Sequence, residues 1–166
     1  ENSLIHFNQG KEYFEAANYV AAREEFANYV SRQSDGQKNE VILAEYYQVL
    51  CSLYLNQPEI DVLGYHFNLN HPNSPQSNLL FRKIGLYFYD IANDAKSIRY
   101  LENSSLGNVE ARYKLGVAYF ETKDFDNALA LFNEVKTDPD ETYAYSAAYY
   151  AGVIQYQQKN YLNAIA

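Results

Sequence analysis

Few residues in this 166-residue chain carry the side chains that chemistry needs. There are three histidines, His6, His66 and His71, and one cysteine, Cys51. No two histidines stand four apart on a helical face, and Cys51 has no partner nearby, so neither a metal site nor a thiol–imidazole pair is predicted. Asp124-Phe125-Asp126 begins as a calcium loop does, but the glycine such a loop requires is missing and Ala128 replaces a ligand oxygen. Helix capping is the reading for it. The seven glycines are scattered, so no phosphate-cradling loop is present. No serine–histidine–acid set can be assembled either. The expectation is a non-enzymatic protein with no catalytic residues, no metal and no cofactor. What remains in abundance is aromatic: 18 tyrosines and 9 phenylalanines, without tryptophan or methionine. A tyrosine ring packs while its hydroxyl stays hydrated, which suits half-buried surfaces.

The elements that must position these rings are helices. From Glu110 to Pro139, apolar residues recur at three- and four-residue steps. Tyr113, Leu115, Gly116, Tyr119 and Phe120 make one apolar face, and Phe125, Ala128, Leu129, Leu131, Phe132 and Val135 make a second. Asp124 between them is placed to cap the second helix. Gly116 sits mid-helix, where glycine costs about 1 kcal/mol relative to alanine. Close approach to another backbone is the expected return, with Ala128 as the expected partner.

The same offsets recur along the chain. Gly10, Tyr13, Tyr19, Ala22 and Phe26 match at the amino end, and Ala151-Gly152, Tyr156, Tyr161 and Ala164 at the carboxyl end. Two more worn copies read Leu50-Cys51, Tyr54, Ile60, Leu63, Phe67 and Ile84-Gly85, Phe88, Ser97, Leu101. The small residue thus falls at 10, 51, 85, 116 and 152. Breaks are expected at Ser34-Asp35-Gly36, at Asn56-Gln57-Pro58 with Pro58 opening a helix, and at His71 to Pro75 with Ser74 as cap and Pro75 first in the helix. Ser104 to Asn108 and Asp138 to Glu141 supply the remaining two.

This pattern resembles the tetratricopeptide repeat family, in which Leu-Gly and an aromatic mark a first helix and aromatic, alanine and aromatic mark a second. Four full copies and a truncated fifth cover residues 1–166 as a single array. The family's first-helix tryptophan is replaced by His6, Tyr47, Phe81, Arg112 and Ala148. The resemblance implies an all-α fold, a right-handed superhelical solenoid of antiparallel helix pairs with about four and a half repeats. Each pair hides its apolar faces only by stacking on the next.

The resemblance also implies a partner-binding groove on the first helices. Its positions are Phe7, Lys11 and Phe14, then Gln48, Ser52 and Leu55, then Arg82, Leu86 and Tyr89. Tyr113, Val117 and Phe120 follow, and then Tyr149, Val153 and Tyr156. A protein or peptide with apolar side chains is the expected occupant; packing of the same residues inside the chain is the bland alternative. Where some family members grip a terminal carboxylate, this chain has Phe7, Asn8, Lys11, Gln48 and Val49, so that clamp is missing. A second functional reading is a small glycan or signalling peptide stacking on Tyr89, Tyr113 and Tyr149, which needs a closed pocket.

Charge and composition narrow the partners. The net charge is −8 with no basic block, which disfavours nucleic acid. No run of 18 apolar residues exists, so no transmembrane helix is predicted. A single cysteine excludes an internal disulfide. The chain lacks an initiator methionine, and an upstream leader or lipid anchor is the expectation, as is continuation past the helix that starts at Tyr161. His71-Pro72-Asn73-Ser74-Pro75 resembles the inter-repeat segment of Gram-negative cell-envelope members of the family. That resemblance implies a periplasmic or outer-membrane-associated protein, with the cytoplasm as the alternative.

Overall fold

The computed structural model describes residues 4–33 and 38–158. Among the described residues there are nine α-helices, one short 3-10 turn and no strand. The helices are α1 (Leu4–Glu15), α2 (Tyr19–Ser31), α3 (Asn39–Tyr54), α4 (Ile60–Asn70) and α5 (Pro75–Asp90). They continue as α6 (Asp94–Glu102), α7 (Val109–Glu121), α8 (Phe125–Val135) and α9 (Ala144–Gln157), with the 3-10 turn at Glu141–Tyr143. The expected helix from Tyr161, its Ala164, and the break at Ser34-Asp35-Gly36 lie outside the described residues.

The chain forms two compact units, Glu1–Leu80 and Phe81–Ala166. In the first, α1 packs on α2, α2 on α3 and α3 on α4. In the second, α6 packs on α7, α7 on α8 and α8 on α9. The expectation of an all-α helical repeat is met by this consecutive pairing.

One turn geometry closes four first helices. Ala17, Asn56, Ala92 and Lys123 all have positive φ, between 52 and 65°. At each, the following amide donates back to a carbonyl five residues earlier: Asn18 to Tyr13, Gln57 to Ser52, Asn93 to Phe88 and Asp124 to Tyr119. This left-handed closure satisfies carbonyls that a helix end leaves without a partner. The next helix is then capped by a side chain in three of the four. Asn18 accepts from Ala21, Asn93 from Lys96 and Asp124 from Asn127, each satisfying one free amide of the first turn. Asn108 caps α7 in the same way, accepting from Ala111 at 3.0 Å. The Ser74 expectation also holds, since its hydroxyl accepts from the Ser77 amide and Pro75 opens α5. Pro58 does not open α4, which begins two residues later at Ile60 after a turn in which the Ile60 amide donates to Gln57.

The glycines do pack closely, but against a different partner than expected. A Cβ on Gly116 would meet Phe132 ring atoms at 2.9, 3.2 and 3.3 Å, and no atom of Ala128 stands nearer. Gly10 faces Phe26 and Gly85 faces Leu101 in the same manner, each partner 16 residues on. The large residue, not the alanine, fills the space. Ala22 and Ala128 are fully buried alongside it.

The second copy has a different register from the one its small residue suggests. In the other three hairpins the left-handed residue stands seven after the glycine. Counting back from Asn56 places Val49, not Cys51, at the glycine position, and Ser52 at the place of Tyr13, Phe88 and Tyr119. Ring packing agrees. Phe26 stacks on Tyr47 (5.0 Å, 7° between planes) as Phe132 stacks on Tyr150 (5.0 Å, 11°). Tyr150 stands two before Gly152, and Tyr47 two before Val49.

Candidate functional site

Each unit builds an aromatic cluster from the same parts. In the first unit, Phe14 meets Tyr19 and Tyr47 edge to face, and Tyr47 lies flat on Phe26. In the second, Phe120 meets Phe125 and Tyr150 edge to face, and Tyr150 lies flat on Phe132. Such ring pairs contribute about 0.5–1.5 kcal/mol each beyond the area they bury. Within the second unit, the matching place two residues before Gly116 is Lys114, whose Nζ sits 5.1 Å from the centre of the Tyr89 ring. Burial works to lower the Lys114 pKa, but hydrogen bonds and charges from Asp90 and Glu110 outweigh it and hold the ammonium firmly protonated.

The groove residues expected from sequence therefore fall into distinct environments. Phe7 and Val117 are buried, Phe7 against Phe26 and Tyr29. Phe14, Leu86, Tyr89, Tyr113 and Phe120 are half-buried and packed on the cores. Tyr113 stacks on Tyr143 at 4.7 Å, Tyr89 lies under Lys114 and Tyr149 meets Tyr150 edge to face, so all three rings considered for small-ligand stacking already carry a neighbour. Arg82 and Val153 are half-buried, and Lys11 is exposed. Gln48 and Ser52 line a cleft between α2, α3 and α4, and Leu55 is half-buried at the end of α3. On the structural register, the positions matching Tyr113, Val117 and Phe120 in the second copy are Tyr46, Leu50 and Leu53, all buried.

Tyr149 and Tyr156 stand out, at 70% and 65% exposed. Tyr145, at 90%, joins them and was missed from the sequence. Its signal was present: residues 145, 149, 152 and 156 fall on one stripe of a 3.6-residue helix. The offsets that singled out Tyr149 and Tyr156 had no counterpart at 145.

The cleft of the first unit measures about 370 Å³ and combines apolar walls with polar groups. Arg23 reaches into it from α2. Its Nη1 donates to the Ser52 hydroxyl at 3.4 Å and to Gln57 Oε1. Cys51, next to Ser52 in sequence, is fully buried, and burial pushes its thiol up to about 12. A thiol so held is not a nucleophile near neutral pH.

The second unit has a smaller hollow at the matching place, about 250 Å³, between α6, α7 and α8. There Tyr119 extends into the space and donates its hydroxyl to Glu102. Burial, with Glu102 adding to it, pushes the Tyr119 phenol well above the ordinary tyrosine range. Arg112, at the place of the family's tryptophan, donates to the Leu106 carbonyl at 2.8 Å and pairs with Asp138. A polar clamp between loop and helix end thus replaces an apolar ring.

Among the described residues, no three histidine, cysteine or acidic side chains gather as metal ligands, and no helix is long and apolar enough to cross a membrane. The tetratricopeptide repeat family model matches residues 95–144, which take in nearly all of α6, all of α7 and α8, and the 3-10 turn. No curated protein matches the chain. The matched segment holds the hairpin in which Gly116 meets Phe132 and Asp124 caps α8, and the same turn and the same glycine contact recur outside it. Residues 95–144 are thus a tetratricopeptide repeat segment, set in a chain of consecutively paired helices.

Proposed function

We propose that this protein is a non-enzymatic scaffold that holds a partner protein or peptide against first-helix side chains. Repeats of this family generally mediate protein–protein interaction. The observation that carries the reading is the α9 stripe of Tyr145, Tyr149 and Tyr156, three large rings turned outward on one face. Tyrosine offers wide contact area at low conformational cost and is enriched where proteins bind each other. Tyr113 and Phe120 take a supporting part, since their rings are already packed within the chain.

The test is a peptide-array screen with the full chain, followed by titration of the best peptide. A Tyr149→Ser, Tyr156→Ser double variant with an unchanged melting temperature is expected to bind at least tenfold more weakly. Unchanged affinity would move the site away from α9. A placement at the bacterial envelope goes with this reading, supported by the likeness of His71 to Pro75 to inter-repeat segments of envelope members. Cell fractionation tests it, and recovery in the cytoplasm alone would end it.

A further inference from the structure

The cleft in the first unit has a physical origin that the second unit displays by contrast. The residue whose carbonyl accepts the left-handed closure is Tyr13, Phe88 or Tyr119 in three hairpins and Ser52 in the fourth. Tyr119 projects into its hollow. Ser52 instead turns back to donate to the Gln48 carbonyl at 3.1 Å and leaves the space open. Arg23 enters from α2, 13 residues after Gly10. Ile98 holds the matching place after Gly85 and packs against the second core.

Arg23 is half-buried, and among the described residues its hydrogen-bond partners are two neutral oxygens. A guanidinium in that setting favours a carboxylate, which accepts two parallel hydrogen bonds and is charged as well. Two carboxylates, Glu45 and Glu59, also line the cleft, and neither is a hydrogen-bond partner of Arg23. The Glu45 carboxylate is held by His71 Nε2. Glu59 and His66 are exposed at the rim. Val30, Val49, Leu63 and Phe67 supply the apolar part of the walls.

We propose that this cleft is a second binding site, which takes a glutamate or aspartate side chain of a peptide segment whose neighbouring residues are apolar. The carboxylate replaces Gln57 on the Arg23 guanidinium, and the apolar neighbours cover the half-buried Val30 and Leu63. The site lies between α2 and α4 and shares no residue with the α9 stripe, so it stands or falls independently of it.

Titration of the full ¹⁵N-labelled chain with Ac-Ala-Leu-Glu-Leu-Ala-NH2 tests it. Saturable shifts are expected at the Arg23 Nε–H and at the Gln48 and Gln57 side-chain amides. The glutamine counterpart of the peptide is expected to bind at least tenfold more weakly. Arg23→Gln is expected to weaken the glutamate peptide at least tenfold. Ser52→Tyr, which rebuilds the arrangement of Tyr119, is expected to abolish those shifts while the spectrum stays folded. Equal binding of the two peptides, or full binding by either folded variant, would overturn the proposal. So would sodium acetate saturating the same signals at the same concentration, because the cleft would then hold a small anion and not a peptide.

Discussion

The ring of Phe132 occupies the space that a side chain at Gly116 would need, with a Cβ there lying 2.9 Å from ring carbon Cε1. Phe132 cannot step aside. It is fully buried and held by Tyr150 on its face and Tyr113 at a tilt. Gly116→Leu is therefore expected to destabilise the protein by about 1–3 kcal/mol through overpacking. Gly107 is the control, since a Cβ there meets only the Ser105 hydroxyl at 3.9 Å. Gly107→Ala should stay within about 0.5 kcal/mol of the parent, as surface changes do. Urea denaturation of both variants measures the difference, and equal midpoints would refute the contact.

The left-handed residues predict a gain rather than a loss. Ala17 and Ala92 hold φ at 56 and 55°, where a Cβ costs about 1–2 kcal/mol. Ala92→Gly removes that cost, while added freedom in the unfolded chain takes back about 0.4–1 kcal/mol. A net stabilisation of about 0.5–1 kcal/mol is expected, with the same sign for Ala17→Gly. Glycine inside a helix has the opposite effect, so a loss of stability in either variant would contradict the turn geometry.

Arg112 makes a different kind of prediction, because its removal strands other groups. Arg112→Met keeps the aliphatic stem but removes the donor from the Leu106 carbonyl and from Asp138 Oδ2, leaving that carboxylate only the Asp140 amide. Both are only partly exposed. The loss is expected at about 1–2 kcal/mol, toward the lower part of the range for a group left unsatisfied, because water reaches both partners in part. Combining Arg112→Met with Asp138→Asn should cost less than the sum of the two single changes, since the pair is lost only once. Strict additivity in thermal melts would show that the two side chains do not interact.

Alkaline pH should weaken the fold in a way that depends on Cys51 and Tyr119. Burial raises the Cys51 thiol from 9.0 to about 12, and the Tyr119 phenol also lies above its ordinary value. Above pH 9 the unfolded chain gives up the thiol proton while the folded chain keeps it. The unfolded state then binds fewer protons, so stability falls as pH rises from about 9 to 12, by up to about 1.4 kcal/mol per pH unit for this group. Tyr119 adds to the fall above about pH 10. Melting temperatures from pH 7 to 11 are expected to drop more steeply for the parent than for Cys51→Ala or Tyr119→Phe. Parallel curves for all three would exclude these groups as the cause.

Much of the architecture was legible in the sequence because it is local. The helix pair from Val109 to Val135, the Asp124 cap and the Ser74–Pro75 start each depend on residues within a turn or two of one another. Periodicity and capping chemistry reveal such features directly. Tertiary packing decided the rest. Cys51 is small enough to pass for the glycine of its copy, but the left-handed turn at Asn56 and the Phe26–Tyr47 stack assign that place to Val49. Gly116 was matched to Ala128 by size, whereas the docking of α7 on α8 sets it against Phe132. The outward turn of Tyr145 and the meeting of Arg23 with Ser52 and Gln57 were equally hidden. A repeat pattern states which residues share a face of one helix. How far one helix slides and rotates against the next is set by the summed packing of many side chains, and that offset determines which faces meet and which stay open.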